Sequence, residues 1–239
     1  MIGENFIAAT LDYAFDYERI TSEINSCGEF FFDTPAHSGH VEAGLSGRIP
    51  FMSESVENYR RIDHGSGDGR LERKELRGIR SLYLRNSTTG DALRNSSYRF
   101  TKTLAHASWH WRAELKDRIP YTIECIESLP YDPLGAVRAF ACENTFMPTH
   151  RDVEPGPDAR DRSRAIGISL IPATGGVGML VWNRAGRCVE EVRGHCIMFD
   201  DGCWHGVPMT QGMRITIRVF GELNFERLGG HLDRHFPVA

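Results

Sequence analysis

The sequence predicts a mainly β fold of the jelly-roll class, with helices flanking the sheets. From residue 165 onward, short apolar stretches return about every ten residues, and clusters of Gly, Asn and Asp separate them. Residues 214–219 alternate strictly, with Arg and Thr on one face and Ile and Val on the other, as a strand requires. At 239 residues, the chain is long enough to bury a full core as a single domain, 1–239.

Within that domain we expect three parts. Residues 1–134 supply N-terminal helices, lid loops and supporting strands, 135–223 form the jelly-roll core, and 224–239 are a tail that packs on the domain or on a partner. Loop composition, rich in Gly, Ser, His and charge, covers 35–69.

Hydrophobic spacing predicts the elements before the core. The helices are expected at 16–25 (stopped near Gly28), at 71–78 (a short helix or a turn), after a cap at Asp91, and at 97–118, the longest pattern, which Pro120 ends. The strands are expected at 29–33 (an edge strand), 79–84 and 121–127, and a turn at 130–135 leads into the strand 136–144.

The core elements are predicted by the same reasoning. After a polar loop at 153–163, strands are expected at 165–171, 178–182, 188–192, 194–199 and 214–223.

Charge and composition exclude several classes of partner. The net charge is −4, and although the basic residues are nearly all arginine, they are interspersed with acids, which predicts no nucleic-acid partner. No run of 18 apolar residues is present, so we expect no membrane span, and the N-terminus resembles no signal peptide. The six cysteines form no Cys-x-x-Cys pair, which favours reduced thiols in a cytoplasmic protein. They are Cys27, Cys125, Cys142, Cys188, Cys196 and Cys203.

Two short stretches carry the residue types of a metal site. His150 and Asp152 stand two positions apart, so on a strand both would lie on the same face. His205 stands 53 positions after Asp152, far enough for several strands to return to the same place. Two imidazoles and one carboxylate are the set that binds Fe(II) on one face of its coordination sphere. A His-x-Asp pair alone is weak evidence, and it gains weight only together with the residues after His205.

Arg214 stands nine positions after His205, and Thr216 two positions further. With these residues the sequence resembles the Fe(II)- and 2-oxoglutarate-dependent oxygenases, in which a His-x-Asp/Glu … His triad binds iron inside a double-stranded β-helix. A basic residue about ten positions after the distal His pairs there with the remote carboxylate of 2-oxoglutarate. The resemblance covers residues 135–223, and the first half of the chain carries no motif of the family.

The resemblance implies a set of roles. His150, Asp152 and His205 would bind Fe(II). Arg214 would bind 2-oxoglutarate, with Thr216 as helper. The reaction would consume O₂ and 2-oxoglutarate, release succinate and CO₂, and oxidise an unactivated C–H bond, with ascorbate as reductant in vitro.

Asp152 favours hydroxylation. Halogenating relatives carry a small residue at that position, which this chain does not. Desaturation and ring closure remain open.

Candidate substrate residues are suggested by strand direction. Arg218 shares a face with Arg214, and its partner is either a substrate carboxylate or an internal acid, two alternatives of equal weight. Arg138 and Asn144 share a face of the strand before the triad, and each is a candidate contact of the substrate or, as we assign Asn144, of 2-oxoglutarate. Trp204 is a candidate wall of the pocket, with packing in the core as the alternative. These arginines favour a small substrate with a carboxylate, such as an amino acid or an amino-acid-derived biosynthetic intermediate. A residue within a peptide or protein is the second alternative, and a nucleobase the third.

Other functions would use the same residues differently. A ligand-binding jelly roll without iron, a cupin-type metalloprotein and a zinc hydrolase are the rivals. A cupin normally draws more histidines from His-x-His-like motifs, which are absent here, and a zinc hydrolase would not require an arginine nine positions after the last histidine. Six other histidines are interpreted as solvated, packing or structural residues: His37, His40, His64, His106, His110 and His195. The sequence does not predict the oligomeric state.

Overall fold

The computed structural model describes residues 7–33, 79–87, 109–150, 166–183, 188–201, 203–229 and 232–235. The elements before the core are β1 (Ala8–Leu11), α1 (Tyr17–Asn25), a 3₁₀ turn (Gly28–Phe30), β2 (Phe32–Asp33), β3 (Ile79–Ser87), β4 (Trp109–Trp111), α2 (Ala113–Lys116) and α3 (Pro120–Ser128). The core strands are β5 (Tyr131–Glu143), β6 (Met147–His150), β7 (Ile166–Thr174), β8 (Met179–Asn183), β9 (Cys188–Val192), β10 (Cys196–Asp200), β11 (His205–Val207) and β12 (Met213–Leu223). The chain continues into α4 (Phe225–Leu228) and β13 (Leu232–His235).

Two antiparallel sheets form the core. The larger sheet has the order β13-β1-β10-β7-β12-β5-β3-β2, with β4 paired to β3, and the smaller has the order β6-β11-β8-β9. Along the chain, β5, β7, β10 and β12 lie in the larger sheet, while β6, β8, β9 and β11 lie in the smaller one. This winding of eight strands between two facing sheets is the jelly roll, or double-stranded β-helix, and it confirms the predicted fold class.

The two faces of the larger sheet are covered differently. One face packs on the helices through a core that includes Ile20, Ile126, Leu82 and Ile217. The other face meets the smaller sheet through a second cluster: Ile7, Ala8, Ile171, Met179, Val181, Val192, Ile197 and Phe199. In β12, Ile215, Ile217 and Val219 belong to the core that packs on the helices. Because side chains alternate along a strand, the residues between them lie on the face toward the smaller sheet.

Most of the predicted core strands are confirmed, with ends that shift by up to three residues. The predicted helix at 16–25 is also present, with Asp16 Oδ1 accepting a hydrogen bond from Arg19 N at 2.9 Å, as an N-cap residue does. The predicted edge strand at 29–33 is only partly right: Phe32–Asp33 is an edge strand, but Gly28–Phe30 is a 3₁₀ turn. Of the predicted tail, residues 224–229 and 232–235 belong to the domain, where β13 pairs with β1.

Two predictions before the core were wrong. Of the predicted helix 97–118, residues 97–108 lie outside the described part, Trp109–Trp111 form a strand paired with β3, and only Ala113–Lys116 are helical. The predicted strand 121–127 is the helix α3, in which Pro120 occupies the first turn and does not end a preceding helix. Thr122, Cys125 and Ile126 are its buried residues, a helical spacing that competed with the alternation in the sequence.

The predicted turn at 130–135 is also corrected. β5 begins at Tyr131, includes a cis peptide between Asp132 and Pro133, and pairs with the far end of β12 through two register shifts. The strand therefore accommodates the proline with irregular pairing. The predicted loops at 35–69 and 153–163, the helix at 71–78 and the cap at Asp91 lie outside the described residues.

No helix among the described residues is both long and apolar enough to cross a membrane.

Glu23 links the two larger helices. Its carboxylate accepts hydrogen bonds from the backbone N–H groups of Tyr121 and Thr122, at 3.1 and 2.7 Å, and from the Thr122 hydroxyl at 2.7 Å. The N-cap residue of α3, Ile119, makes no capping hydrogen bond with its side chain, so Glu23 takes that role. Glu23→Ala is therefore expected to lower the free energy of unfolding by about 1–3 kcal/mol, measured by urea denaturation. The exposed Glu124→Ala on α3 is the control, with an expected change within about 0.5 kcal/mol. Equal unfolding energies for the two variants would contradict the capping role.

Candidate metal and co-substrate site

The two sequence stretches of the predicted metal site are neighbours in the smaller sheet. β6 and β11 are antiparallel partners, and the Cα of His205 is in register with the Cα of His150. Register partners in an antiparallel pair lie on the same face of the sheet. The backbone therefore brings together two positions that are 55 residues apart in sequence. Asp152, the third predicted ligand, lies outside the described residues, and those residues contain no group of three His, Cys, Asp or Glu side chains suited to a metal.

The His205 side chain is held on both sides. It is 5% exposed, and its Nδ1 lies 2.9 Å from the carbonyl oxygen of Cys203. A carbonyl can only accept a hydrogen bond, so in the neutral ring Nδ1 carries the proton and Nε2 carries the lone pair. The Phe199 ring meets the imidazole edge-on, with 4.6 Å between the ring centroids. This tautomer and fixed orientation are those of a histidine that binds a metal through Nε2.

Arg214 lies on β12, on the face toward the smaller sheet. It is 2% exposed, and its Nη1 donates to the carbonyl oxygens of Thr174 and Val177 at 2.9 and 2.7 Å. Its Nε is buried and has no hydrogen-bond partner among the described residues, and no carboxylate there pairs with the guanidinium. Burial lowers the pKa of Arg214 to about 10, since a desolvated cation is disfavoured, so the group remains charged at neutral pH. A buried cation gains stability from an anionic partner, because the partner compensates its lost hydration.

Thr216 stands two positions along the same strand and is half-buried, in register with Phe140 of β5. It therefore shares with Arg214 the face toward the smaller sheet.

Arg218, two positions further, has an internal partner. Its guanidinium forms an ion pair with the carboxylate of Asp201, in the turn between β10 and β11, and both side chains are buried. Nη1 also donates to Ser169 Oγ at 3.3 Å, and the guanidinium carbon lies 3.8 Å from the centroid of Phe199. Of the two alternatives for Arg218, the structure contains the internal acid.

Gly167 on β7 makes room for this guanidinium. A Cβ at this position would lie 2.5–2.6 Å from three guanidinium atoms of Arg218. Gly167→Ala is therefore expected to displace the arginine and to lower the free energy of unfolding by about 1–3 kcal/mol, measured by urea denaturation. Gly28→Ala is the control, because a Cβ there would meet no atom within 4 Å. Unchanged stability in Gly167→Ala would show that Arg218 has space to move.

Arg138 on β5 is the register partner of Arg218. Its Nη2 donates to Ser81 Oγ at 2.7 Å, and its guanidinium carbon lies 4.9 and 4.5 Å from the ring centroids of Tyr83 and Phe140. Three buried arginines thus occupy the same face of two adjacent strands, namely Arg138, Arg214 and Arg218.

The remaining predicted contacts have other surroundings. Asn144 has a left-handed backbone (φ 49°), is exposed, and accepts a hydrogen bond from Gly212 N at 3.0 Å through its side-chain oxygen. This bond accounts for Asn144 as a turn residue, and no described contact joins it to Arg214. Trp204 is half-buried next to His205, and its carbonyl accepts a hydrogen bond from Trp182 N at 2.8 Å across the smaller sheet.

Sequence reasoning missed three parts of the site: Asp201, Phe199 and the carbonyl of Cys203. In the sequence, Asp200 and Asp201 belong to one of the clusters of Gly, Asn and Asp that separate the strands. Because a buried arginine such as Arg218 requires a partner, an acid near the proposed site was to be expected. Asp201, four positions before the candidate ligand His205, was the signal that the sequence offered.

The described cysteines agree with the prediction of reduced thiols. Cys27, Cys125, Cys142, Cys196 and Cys203 are all free. Burial raises the pKa of Cys142, the register partner of Arg214, to about 11, so this thiol is uncharged at neutral pH.

No family model matches the chain, and no curated protein does. The chain is, however, similar to several solved structures. A prolyl hydroxylase from Trichoplax adhaerens, in complex with a hypoxia inducible factor peptide fragment, is 9% identical, with 89% of this chain and 92% of that chain covered and a TM-score of 0.38. A Pseudomonas putida prolyl-4-hydroxylase is 13% identical, with 91% and 93% covered and a TM-score of 0.39. A 2OG-Fe(II) oxygenase family member from Burkholderia pseudomallei is 12% identical, with 80% and 94% covered and a TM-score of 0.36. The solved structures to which this chain is similar thus include prolyl hydroxylases and a member of the 2-oxoglutarate–Fe(II) oxygenase family.

Proposed function

We propose that this protein is an Fe(II)- and 2-oxoglutarate-dependent dioxygenase that hydroxylates an unactivated C–H bond. The observation that carries the proposal is the state of Arg214. A guanidinium that is 2% exposed, with its Nε unpartnered among the described residues, lies nine positions after a buried histidine in register with His150. A desolvated cation gains most from a carboxylate that it can bind through its planar fork.

The donor set fits the metal. His205 offers Nε2, and we assign His150 and Asp152 as the other two ligands on the basis of sequence spacing and backbone register. Two imidazoles and one carboxylate would hold Fe(II) and leave it able to bind a 2-oxo acid and O₂. When bound, the iron would supply the redox chemistry that couples decarboxylation of 2-oxoglutarate to C–H oxidation.

The protein's own residues bind and orient the reactants. Arg214 would hold the remote carboxylate of 2-oxoglutarate, with the hydroxyl of Thr216 as a second donor. The Cys203 carbonyl holds the His205 proton on Nδ1, which keeps Nε2 available as a donor to the metal. Carbonyl oxygens of Thr174 and Val177 fix the Arg214 fork, so less side-chain freedom is lost on binding.

We further propose a small substrate that carries a carboxylate. Among the three buried arginines, Arg218 is paired with Asp201, and Arg214 is assigned to 2-oxoglutarate. Arg138, held by Ser81 and by two aromatic faces, is therefore our candidate for the substrate carboxylate. Trp204 remains a candidate wall of the pocket.

The test is the release of succinate from 2-oxoglutarate by the purified protein with Fe(II) and ascorbate. Free amino acids, other small carboxylates and proline-containing peptides are screened as substrates. We expect turnover that requires Fe(II) and that rises with a small carboxylate. Stimulation by peptides alone would replace the substrate proposal with peptide hydroxylation. No consumption of 2-oxoglutarate under any condition would leave a cupin-type binding protein or a hydrolase, and would overturn the proposed function.

A further inference from the structure

The ion pair between Arg218 and Asp201 lies inside the fold and joins two elements that are distant in sequence. Arg218 is on β12, while Asp201 is in the turn that leads from β10 into β11. Arg218 is 5% exposed and Asp201 2% exposed, so neither charge is compensated by solvent. The pair therefore fixes this turn against the larger sheet.

The turn fixed in this way is the one that orients His205. Cys203, two positions after Asp201, donates its N–H to the Asp200 carbonyl at 3.0 Å and accepts the Nδ1 hydrogen of His205 at 2.9 Å. The position of the Cys203 carbonyl, and with it the tilt of the imidazole, depends on the conformation of this turn. Asp201 is thus connected to His205 through the Cys203 carbonyl, two positions further along the chain, and one hydrogen bond.

A second connection runs through the Phe199 ring. One contact of the ring is the Arg218 guanidinium, whose carbon is 3.8 Å from the ring centroid, and another is the His205 imidazole, with centroids 4.6 Å apart. Phe199 is also the register partner of Gly167, the residue whose missing side chain makes room for Arg218. Movement of the guanidinium would therefore move the ring that packs on His205.

We infer that Arg218 is a positioning residue that orients His205 for metal binding, through Asp201 on one side and Phe199 on the other. The inference rests on the proposed role of His205 as a metal ligand. It assigns to the buried pair a function that a purely structural ion pair lacks, namely control of the affinity and geometry of the metal site. Outer groups that orient a ligating histidine typically change metal affinity by about 10- to 100-fold.

The experiment measures Co(II) binding to the metal-free protein, by titration calorimetry and by the visible absorption spectrum of the bound ion. Asp201→Asn and Arg218→Met are each expected to weaken Co(II) binding by about 10- to 100-fold and to change the absorption bands. Arg218→Lys, which keeps the charge, is expected to recover part of the affinity. Arg138→Met is the matched control: it removes a buried arginine from the same face but breaks neither connection, so Co(II) affinity should stay at the wild-type value.

The outcomes separate this inference from the proposed function. If His205→Ala binds Co(II) as wild type does, His205 is not a ligand and both proposals fail. If His205→Ala loses the metal but folded Asp201→Asn and Arg218→Met bind it normally, only the positioning role is overturned. Equal losses in Arg138→Met would also overturn it, because general destabilisation would then explain the effect. Should Asp201→Asn not fold, Phe199→Leu retains the ion pair and removes the ring contact; wild-type affinity and spectrum in that variant would overturn the inference.

Discussion

Replacing Arg214 with methionine is expected to raise the KM for 2-oxoglutarate by about 10- to 150-fold, because the loss of a hydrogen-bonded charge partner costs about 1.5–3 kcal/mol. The guanidinium is desolvated, and its Nε has no partner among the described residues, so the binding of a carboxylate would meet an already prepared cation. Affinity for Co(II) should change little, since Arg214 is not a proposed ligand. The KM of Arg214→Lys for 2-oxoglutarate should lie between those of the wild type and Arg214→Met, because an ammonium retains the charge but lacks the planar fork of the guanidinium. Succinate release at varied 2-oxoglutarate concentration gives the KM.

Arg138→Met is the matched control for this prediction. Arg138 is a buried arginine on the adjacent strand, and its contacts include a hydrogen bond to the Ser81 hydroxyl. Under our proposal, its loss raises the KM for the substrate and leaves the KM for 2-oxoglutarate unchanged. A selective rise in the KM for 2-oxoglutarate in Arg138→Met, with Arg214→Met unaffected, would exchange the two assignments. Burial lowers the pKa of Arg214 to about 10, which is still well above neutral. Arg214 therefore stays charged between pH 6 and 8, and its titration should not change the KM for 2-oxoglutarate in this range.

The sequence predicted the jelly-roll strands because each has one face that must be apolar. In 214–219, strict alternation leaves no helical alternative, and β12 has nearly the predicted bounds. The segment 121–127 shows why the elements before the core were harder. Its apolar residues fit both the alternation of a strand and the spacing of a helix. The helix α3 is favoured by the Glu23 carboxylate, which caps the N-terminus of α3 and lies 98 and 99 residues away in sequence from the two N–H groups whose hydrogen bonds it accepts. Local periodicity contains no information about such a partner.

The candidate site divides in the same way. Arg214 was predicted because its distance from His205 along the chain is itself the signal. The partner of Arg218 was not, since Asp201 reaches it only after β10, β7 and β12 become neighbours in the sheet. The space for the guanidinium comes from Gly167 on β7, the strand between them. Sequence spacing thus predicted the proposed direct contacts with metal and co-substrate, whereas the groups that hold them depend on strand order.

His205→Ala is expected to have the largest effect on metal binding among the variants of described residues. Loss of a residue that only orients a ligand typically weakens metal binding by about 10- to 100-fold. Removal of a proposed ligand should weaken Co(II) binding by more than this, and should abolish Fe(II)-dependent succinate release. His205 differs in this from His195, an exposed histidine directly before β10. The Nδ1 of His195 lies 2.8 Å from the Ile171 carbonyl, and its ring stacks on Tyr17 of α1 at 4.5 Å between centroids.

His195→Ala therefore makes a close control, because both histidines place Nδ1 against a backbone carbonyl and one ring against an aromatic neighbour. Their difference is location. The Tyr17 partner places the His195 ring against helix α1, whereas His205 is in register with His150 in the smaller sheet. If the site is where we propose, His195→Ala lowers the melting temperature and leaves the Co(II) affinity unchanged, while His205→Ala loses the metal. A loss of Co(II) binding in both variants would mean that destabilisation of the fold, and not removal of a ligand, accounts for the effect.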